Sequence, residues 1–203
     1  MIKNIIFDFG KVLVNYDFDI LFRNIYPDEY KRKAFADFIN DPGRVQVLDR
    51  GMKPFHGIIE DFISERPDLE EEFIVFEKRK PEVVLGEVPG MKAMLEKLKS
   101  DGFGLYGLTN WDTQVHITIA QYDIFRLLDG RVISSEEHLV KPEREIYLRL
   151  LDRFGLAADE CVFVDDKPEN IEGAERAGIK GIVFKDAAQF EKELDMICKS
   201  TKA

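Results

Sequence analysis

Polar residues that could bind and attack an anionic group stand at four points where short apolar runs of this 203-residue sequence end. They are Asp8, Thr109 with Asn110, Lys141, and Asp165 with Asp166. Taken singly, each has a common structural explanation as a turn or a helix cap. Ligands of open α/β sheets bind beyond the carboxyl ends of the strands, so we expect these residues to meet at one rim of a sheet.

The chemistry that suits this set is phosphoryl transfer. A carboxylate such as Asp8 can attack phosphorus and form an aspartyl phosphate, which divides the reaction into two displacements. Three carboxylates that meet without a cation repel one another, whereas Mg²⁺ takes hard oxygen ligands and keeps them ionised. Lys141 would hold phosphate and nucleophile together, while the Thr109 hydroxyl and nearby backbone N–H groups would bind phosphate oxygens.

The elements that must position these residues alternate between strands and helices. Short apolar runs predict five strands, at about 5–7, 103–108, 131–134, 161–164 and 180–184. Helical periodicity lies between them, and Pro142 is expected at the first position of one helix. This alternation predicts an α/β fold with a Rossmann-like, parallel, five-stranded sheet and right-handed crossovers.

Between the first strand and the next, the sequence is helical in pattern and rich in aromatic residues. Pro27 is expected to stop one of these helices, and Asp28 to cap the next. Residues 81–89 resemble a linker that returns to the sheet. The sequence therefore predicts a core domain of residues 1–15 and 82–203, with an inserted α-helical cap of residues 16–81.

Composition excludes several partners. The formal net charge of −10 and the pI near 4.9 oppose binding to nucleic acid or to an anionic membrane, because both favour a basic face. No apolar run approaches the ~20 residues of a membrane span, and the first residues do not resemble a secretory signal. Neither Cys161 nor Cys198 has metal-ligand spacing, so reduced thiols are expected. We predict a cytoplasmic protein, a monomer or weak homodimer, that binds a small phosphorylated metabolite.

Four segments, FDFGKVLV, GLTN, KPE and FVDDKPEN, occur in this order around one helical insertion. In this set the sequence resembles the haloacid dehalogenase (HAD) superfamily, whose helical cap lies between the first and second motifs. The resemblance covers residues 1 to about 184. Within the superfamily the sequence is most similar to small bacterial hydrolases grouped with glucose-1-phosphate-type sugar phosphatases and with the phosphatase-like domain of epoxide hydrolases.

The resemblance implies roles for individual residues. Asp8 would be the nucleophile, and Lys141 would share the catalytic role. The turn at residues 48–51 resembles one with which family caps approach the site, so its Arg50 is expected to contact substrate. Phosphate or substrate binding is implied for Phe9, Gly10, Thr109, Asn110, Lys141 and Arg50. Magnesium binding is implied for Asp8, the Gly10 carbonyl, Asp165 and Asp166.

Gly10 departs from the family pattern. Family phosphatases usually carry a second aspartate there, which protonates the leaving oxygen and later activates water. Such a group typically contributes ~10²- to 10⁴-fold to the rate. A good leaving group, such as an anomeric or acyl phosphate oxygen, would need it least, and Asp17 or Asp19 is a candidate substitute.

Three alternatives accompany the leading interpretation, a Mg²⁺-dependent phosphatase whose expected substrate is a sugar phosphate. A 2-haloacid dehalogenase-type hydrolase also lacks the second aspartate but needs no metal, so the pair Asp165 and Asp166 opposes it. A response-regulator receiver uses similar residues, but its acidic pair precedes the accepting aspartate. A catalytically weakened phosphate-binding protein would explain Gly10 directly.

Overall fold

The structure is a computed structural model that describes residues 1–25 and 28–200. Its strands are β1 (Asn4–Phe7), β2 (Val14–Tyr16), β3 (Val84–Glu87), β4 (Gly104–Thr109), β5 (Gly130–Ile133), β6 (Cys161–Asp165) and β7 (Lys180–Val183). Its helices are α1 (Phe18–Ile25), α2 (Glu29–Ile39), α3 (Pro42–Arg50), α4 (Phe55–Glu65), α5 (Glu70–Arg79), α6 (Met91–Ser100), α7 (Val115–Gln121), α8 (Ser134–Glu137), α9 (Arg144–Phe154), α10 (Pro168–Arg176) and α11 (Ala187–Ser200). In the described part of the chain, every helix is too short or too polar to cross a bilayer.

The central sheet has five parallel strands in the order β5-β4-β1-β6-β7. Successive residues of β1 point to opposite faces, so Ile5 and Phe7 join one hydrophobic cluster and Ile6 joins the other. Burial of both faces explains why its strands are continuous apolar runs. The predicted five-stranded α/β sheet is confirmed, and Asp8 follows its middle strand.

Residues 17–83, which contain α1–α5 and are called the helical insert below, lie between β2 and β3. These two strands pair antiparallel, so the prediction of a linker at 81–89 was wrong for Val84–Glu87. Aromatic rings of the insert pack against one another within 5.0–5.5 Å, including Phe22, Phe35, Phe73 and Phe76. The same hydrophobic cluster includes one face of the sheet. The division into core and cap domains stays a prediction.

Two predicted helix boundaries have different outcomes. The Asp28 side chain accepts hydrogen bonds from the N–H groups of Tyr30 and Lys31, and so caps α2 as predicted. Pro27, the predicted stop before it, lies outside the described residues. The predicted start at Pro142 was wrong because α9 begins at Arg144. The chain turns first, and the N–H of Glu143 donates to the Val140 carbonyl at 3.0 Å.

Candidate active site

Most of the chemically suited residues lie at one edge of the parallel sheet. Asp8 follows β1, Thr109 ends β4, and Asp165 ends β6 with Asp166 directly after it. Lys141 is different, because β5 ends at Ile133 and α8 intervenes. Its predicted place at a strand end was therefore wrong. Its side chain nevertheless reaches this edge from the loop that follows α8.

The Lys141 ammonium group links two carboxylates at the base of the site. Nζ lies 2.8 Å from Asp8 Oδ1 and 2.6 Å from Asp165 Oδ2, and it donates to the Leu108 carbonyl at 3.1 Å. These contacts use all three ammonium donors of a side chain that is only 1% exposed. Burial lowers the pKa of Lys141, but the charges of Asp8 and Asp165 outweigh it and hold that pKa above its ordinary value. The lysine is therefore a permanent local cation.

Asn110 holds the backbone of Lys141 in place. The Lys141 N–H donates to Asn110 Oδ1 at 2.8 Å, and Asn110 Nδ2 donates to the Lys141 carbonyl at 3.0 Å. Both polar atoms of the Asn110 side chain thus bind protein, although the residue lines the cavity. This position differs from the predicted direct contact with phosphate. Asn110 positions the lysine across the gap between β4 and the loop after α8.

Asp8 is buried, and its carboxyl group is sensitive to the charges around it. Its pKa is raised to about 6, because burial and the charge of Asp165 raise it by more than Lys141 lowers it. The Asp8 N–H donates to the Val164 carbonyl of β6 at 2.9 Å, which orients the residue at the sheet edge. A second nearby cation would lower this pKa and favour the ionised, nucleophilic form.

The carboxylates of Asp8, Asp165 and Asp166 form a cluster whose oxygens lie within 4.8 Å of one another. Asp165 is occupied by protein, since Asn170 Nδ2 lies 3.0 Å from both of its oxygens and Lys141 binds Oδ2. Burial, and secondarily Asp165, raises the pKa of the half-buried Asp166. The donor set fits a hard divalent cation, which would relieve the repulsion.

Asn170 was missed by sequence reasoning, which treated Asp165 only as a metal ligand. The signal was present, because Asn170 ends the segment FVDDKPEN and lies in the first turn of α10. Only two residues separate the end of β6 from the start of α10, so the first turn of the helix lies close to the end of the strand. Asn170 therefore holds Asp165, and the adjacent Asp166 faces the cavity.

A cavity of about 250 Å³ lies above this cluster, between the sheet edge and the helical insert. Asp8, Gly10, Thr109, Lys141 and Asp166 line it from the sheet side. The insert contributes a mainly apolar wall of Phe18, Ile39, Val45, Leu48, Phe76 and Val83, together with the polar side chains of Asn40, Asp49 and Lys80.

Phe9 and Arg50 are placed differently from the other predicted site residues. Phe9 is fully buried, and its ring packs 4.7 Å from that of Phe125, so only its backbone is available to a ligand. The Arg50 guanidinium pairs with Glu143 and donates to the His138 carbonyl at 3.1 Å. Asp49, one residue earlier on α3, lines the cavity instead. Successive residues of a helix point in different directions, so the resemblance of residues 48–51 to a family turn could not show which side chain lines the cavity.

Tyr16 occupies the space beside Gly10. A Cβ atom at Gly10 would lie 2.7 Å from Tyr16 Cε1, so the ring stands where a side chain at position 10 would project. Burial, followed by the charges of Asp166, Asp8 and Asp49, raises the pKa of Tyr16 to about 12. The phenol therefore stays protonated at the cavity wall.

Of the two acids predicted to substitute for the missing aspartate, only Asp17 has a side chain that the structure describes. Asp17 Oδ2 lies 3.7 Å from Arg23 Nη2, and Asp17 is absent from the cavity wall formed by the described residues. The Asp19 side chain lies outside the described part of the structure. Among the described side chains, a group other than Asp17 is needed if the site uses acid–base catalysis.

Comparison with solved structures confirms the fold. A HAD family enzyme from Bacteroides thetaiotaomicron, solved with magnesium and inorganic phosphate, superposes with a TM-score of 0.76. The superposition covers 92% of this chain and 96% of that one, at 18% sequence identity.

Sequence comparison finds relatives with named activities. Flavin mononucleotide hydrolase 1 of Arabidopsis thaliana is 29% identical over 105 residues, covering 52% of this chain and 43% of that protein. A sesquiterpene phosphatase of Aspergillus oryzae is 33% identical over 101 residues, covering 48% of this chain and 50% of that protein. The chain thus spans about half the length of these curated relatives.

A family model described as haloacid dehalogenase-like hydrolase matches residues 5–184, which include β1, the helical insert and the loop that carries Lys141. The matched region also contains Asp165, the last residue of β6, and Asp166, which follows it. The match extends through most of the sequence, so this chain belongs to the haloacid dehalogenase-like hydrolase family of enzymes.

Proposed function

We propose that this enzyme is a Mg²⁺-dependent phosphatase that hydrolyses a small phosphorylated metabolite through an aspartyl phosphate on Asp8. The observation that carries the proposal is the buried contact between Lys141 and Asp8 at the base of the cavity. It places a carboxylate oxygen beside a permanent cation, in a cavity that can admit a small ester. A carboxylate that attacks a phosphate dianion needs a neighbouring cation, because the two negative charges otherwise repel each other.

Each nearby residue has a distinct task in this proposal. Lys141 orients Asp8 and attracts the phosphate, and the Thr109 hydroxyl binds a phosphate oxygen. Asp8, Asp166 and the Gly10 carbonyl would hold Mg²⁺, with Asp165 beside them, and the ion supplies positive charge against the phosphate oxygens. Asn110 holds the backbone of Lys141 in place, and Asn170 holds the side chain of Asp165. Asp8 attacks phosphorus, and water then hydrolyses the acyl phosphate.

The named relatives support this reaction class. One acts on flavin mononucleotide and another is a sesquiterpene phosphatase, so both names denote removal of phosphate from an organic molecule. A sugar phosphate remains the sequence-based expectation for the substrate. The insert's wall is mainly apolar, however, so an ester with an apolar group belongs in the same test. Apolar contact there would favour such a substrate through burial of its hydrocarbon surface.

The test measures phosphate release from sugar phosphates, acyl phosphates, an aliphatic monophosphate and p-nitrophenyl phosphate. Each is assayed with Mg²⁺ and with EDTA, in the wild type and in Asp8→Asn. A matched control is Asp61→Asn, which removes an exposed carboxylate that is paired with Lys53 and is not among the described residues that line the cavity. We expect release that requires Mg²⁺, survives in the control and disappears in Asp8→Asn.

Other outcomes would contradict specific parts of the proposal. Full activity in Asp8→Asn would refute the nucleophile. Phosphate release in EDTA would refute the metal requirement. Chloride release from a 2-haloacid, with no phosphate release from any ester, would favour the dehalogenase alternative. A folded wild type that binds phosphate but releases none from any ester would instead be the weakened phosphate-binding protein.

A further inference from the structure

The site lacks an acid–base group where the family usually supplies one, and the space that a side chain at position 10 would enter is already occupied. The ring of Tyr16 fills that space, with its Cε1 atom 2.7 Å from the position of a Cβ on Gly10. The phenol is a poor replacement, since a pKa raised to about 12 leaves almost no phenolate to activate water near neutrality.

We propose that the Asp49 carboxylate, at the end of α3, is the general acid and general base of this enzyme. The proposal rests on the function proposed above. Among the described residues of the helical insert that line the cavity, Asp49 is the only acid. It lines the same cavity as Asp8 and Asp166, and its charge acts on the same phenol, Tyr16, as the charges of those two carboxylates.

The backbone around Asp49 is attached to the sheet side of the molecule. The Ser134 hydroxyl donates to the Asp49 carbonyl at 2.6 Å, and His138 Nδ1 lies 2.8 Å from the Arg50 carbonyl. Gly51 then ends α3 in the left-handed region, at φ 58°. These contacts hold the residue at the cavity although it belongs to the insert, as a group that transfers protons requires.

The close approach of Gly51 to Ser135 has the same consequence. A Cβ on Gly51 would lie 2.6 Å from the Ser135 Cβ and 2.8 Å from its carbonyl oxygen. Only glycine permits this distance between the end of α3 and α8. The end of α3 can therefore pack directly against α8, which holds Asp49 beside the cavity.

The Asp49 carboxylate is available for proton transfer because the two buried lysines whose charges act on it are already paired. Lys80 forms a buried ion pair with Asp112, and Lys141 is bound by Asp8 and Asp165. Asp49 has an ion pair with neither lysine.

Its environment also suits both halves of the reaction. The pKa of Asp49 is raised to about 6, because burial and the charge of Asp112 raise it by more than Lys80, Lys167 and Lys141 lower it. Both protonation states are then populated near neutral pH, which is the condition for a group that must give and then take a proton.

The two steps balance as follows. Asp8 attacks phosphorus, the bond from phosphorus to the ester oxygen breaks, and protonated Asp49 gives its proton to that oxygen, so the alcohol leaves and Asp49 becomes a carboxylate. Asp49 then takes a proton from water as the water oxygen attacks phosphorus. The bond from phosphorus to Asp8 breaks, its electron pair returns to the Asp8 carboxylate, and inorganic phosphate leaves.

The test compares two leaving groups in Asp49→Asn, with Asp61→Asn as the control for loss of an insert carboxylate. Glycerol 3-phosphate has a poor leaving group that needs protonation, whereas p-nitrophenolate leaves without it. For glycerol 3-phosphate we expect kcat to fall ~10²- to 10⁴-fold. For p-nitrophenyl phosphate we expect a rapid burst of one nitrophenolate per active site, followed by slow turnover.

The burst arises because the first displacement needs no acid, while the second lacks its base. Phosphorylated protein should therefore accumulate and be visible by intact-protein mass, in Asp49→Asn but not in the control. Asp49→Ser removes the carboxyl group with a different side chain and should reproduce the burst, which covers the case in which one variant fails to fold.

Equal losses on both substrates without a burst, or an unchanged kcat on glycerol 3-phosphate, would overturn the role of Asp49. These results differ from failure of the proposed function. If the wild type is active and Asp8→Asn is not, only the inference about Asp49 is lost. If the wild type releases no phosphate from any ester of the panel above, the proposed function and this inference fail together.

Discussion

Replacing Gly10 with alanine is expected to destabilise the fold, because Tyr16 already occupies the space that the new methyl group needs. The added Cβ would lie 2.7 Å from Cε1 and 3.4 Å from Cδ1 of the ring. The ring already packs against two others, since its centre lies 5.6 Å from that of Phe18 and 6.3 Å from that of Trp111.

The size of the effect follows from two opposing contributions. Overpacking of this kind costs about 1–3 kcal/mol. Alanine also lowers the conformational entropy of the unfolded chain, which stabilises the folded state by about 0.4–1 kcal/mol. We therefore expect Gly10→Ala to lower the free energy of unfolding by about 1–2 kcal/mol.

A double-mutant cycle in urea assigns this loss to one pair of residues. In a Tyr16→Ala background the methyl group at position 10 has space, so Gly10→Ala should become neutral or stabilising. Gly57→Ala is the matched control, because Gly57 lies within α4 and a Cβ there meets no heavy atom within 4 Å. That change should raise the free energy of unfolding by about 0.5–1 kcal/mol. The reasoning is refuted if Gly10→Ala is as stable as the wild type, or if its cost is unchanged without the tyrosine ring.

Three further stability predictions use urea unfolding in EDTA. The pKa of Asp49 is raised to about 6 in the folded state, so the free energy of unfolding falls as pH rises from about 4 to 6. Asp49→Asn should therefore raise the free energy of unfolding by about 1–3 kcal/mol at pH 8 and by almost nothing near pH 4. An equal effect at both pH values would contradict this reasoning. Lys141→Met leaves two buried carboxylates without their cation and should cost about 3–5 kcal/mol at pH 8 but less in acid, where Asp8 is protonated. Gly51→Ala combines a left-handed φ of 58° with a collision against Ser135, so a loss of about 2 kcal/mol or more is expected, and a neutral result would show that α3 can shift away from α8.

Local pattern was enough to predict the sheet and most of the residues at its edge. An apolar run that ends in a polar residue encodes a buried strand and the position of its end. Parallel strands share an edge, so Asp8, Thr109 and Asp165 could be brought together without knowledge of the strand order. The order of the four motifs also carried the family assignment, which the family comparison confirms.

The exact bounds of α3 and the strand β3 were not predicted, although part of the signal for each is visible. Asp41 caps α3 and Pro42 opens it, but the helix has only nine residues and one fully buried hydrophobic side chain, so its periodicity is weak. Val84–Glu87 is only four residues long, and its pairing with β2 depends on a segment about seventy positions away. A short strand without alternation cannot be distinguished from an extended linker until its partner is known.

The sequence by itself determined which residue types meet at the sheet edge, and the tertiary structure alone decided what each of them contacts there. Sequence spacing could not show that Asn110 binds the backbone of Lys141, that Tyr16 fills the space beside Gly10, or that Asp49 rather than Arg50 faces the cavity. The reason is physical. Strand and helix formation follow from periodicities within a few residues, whereas these contacts depend on side-chain directions and separations of a few ångströms between segments that are brought together only by packing.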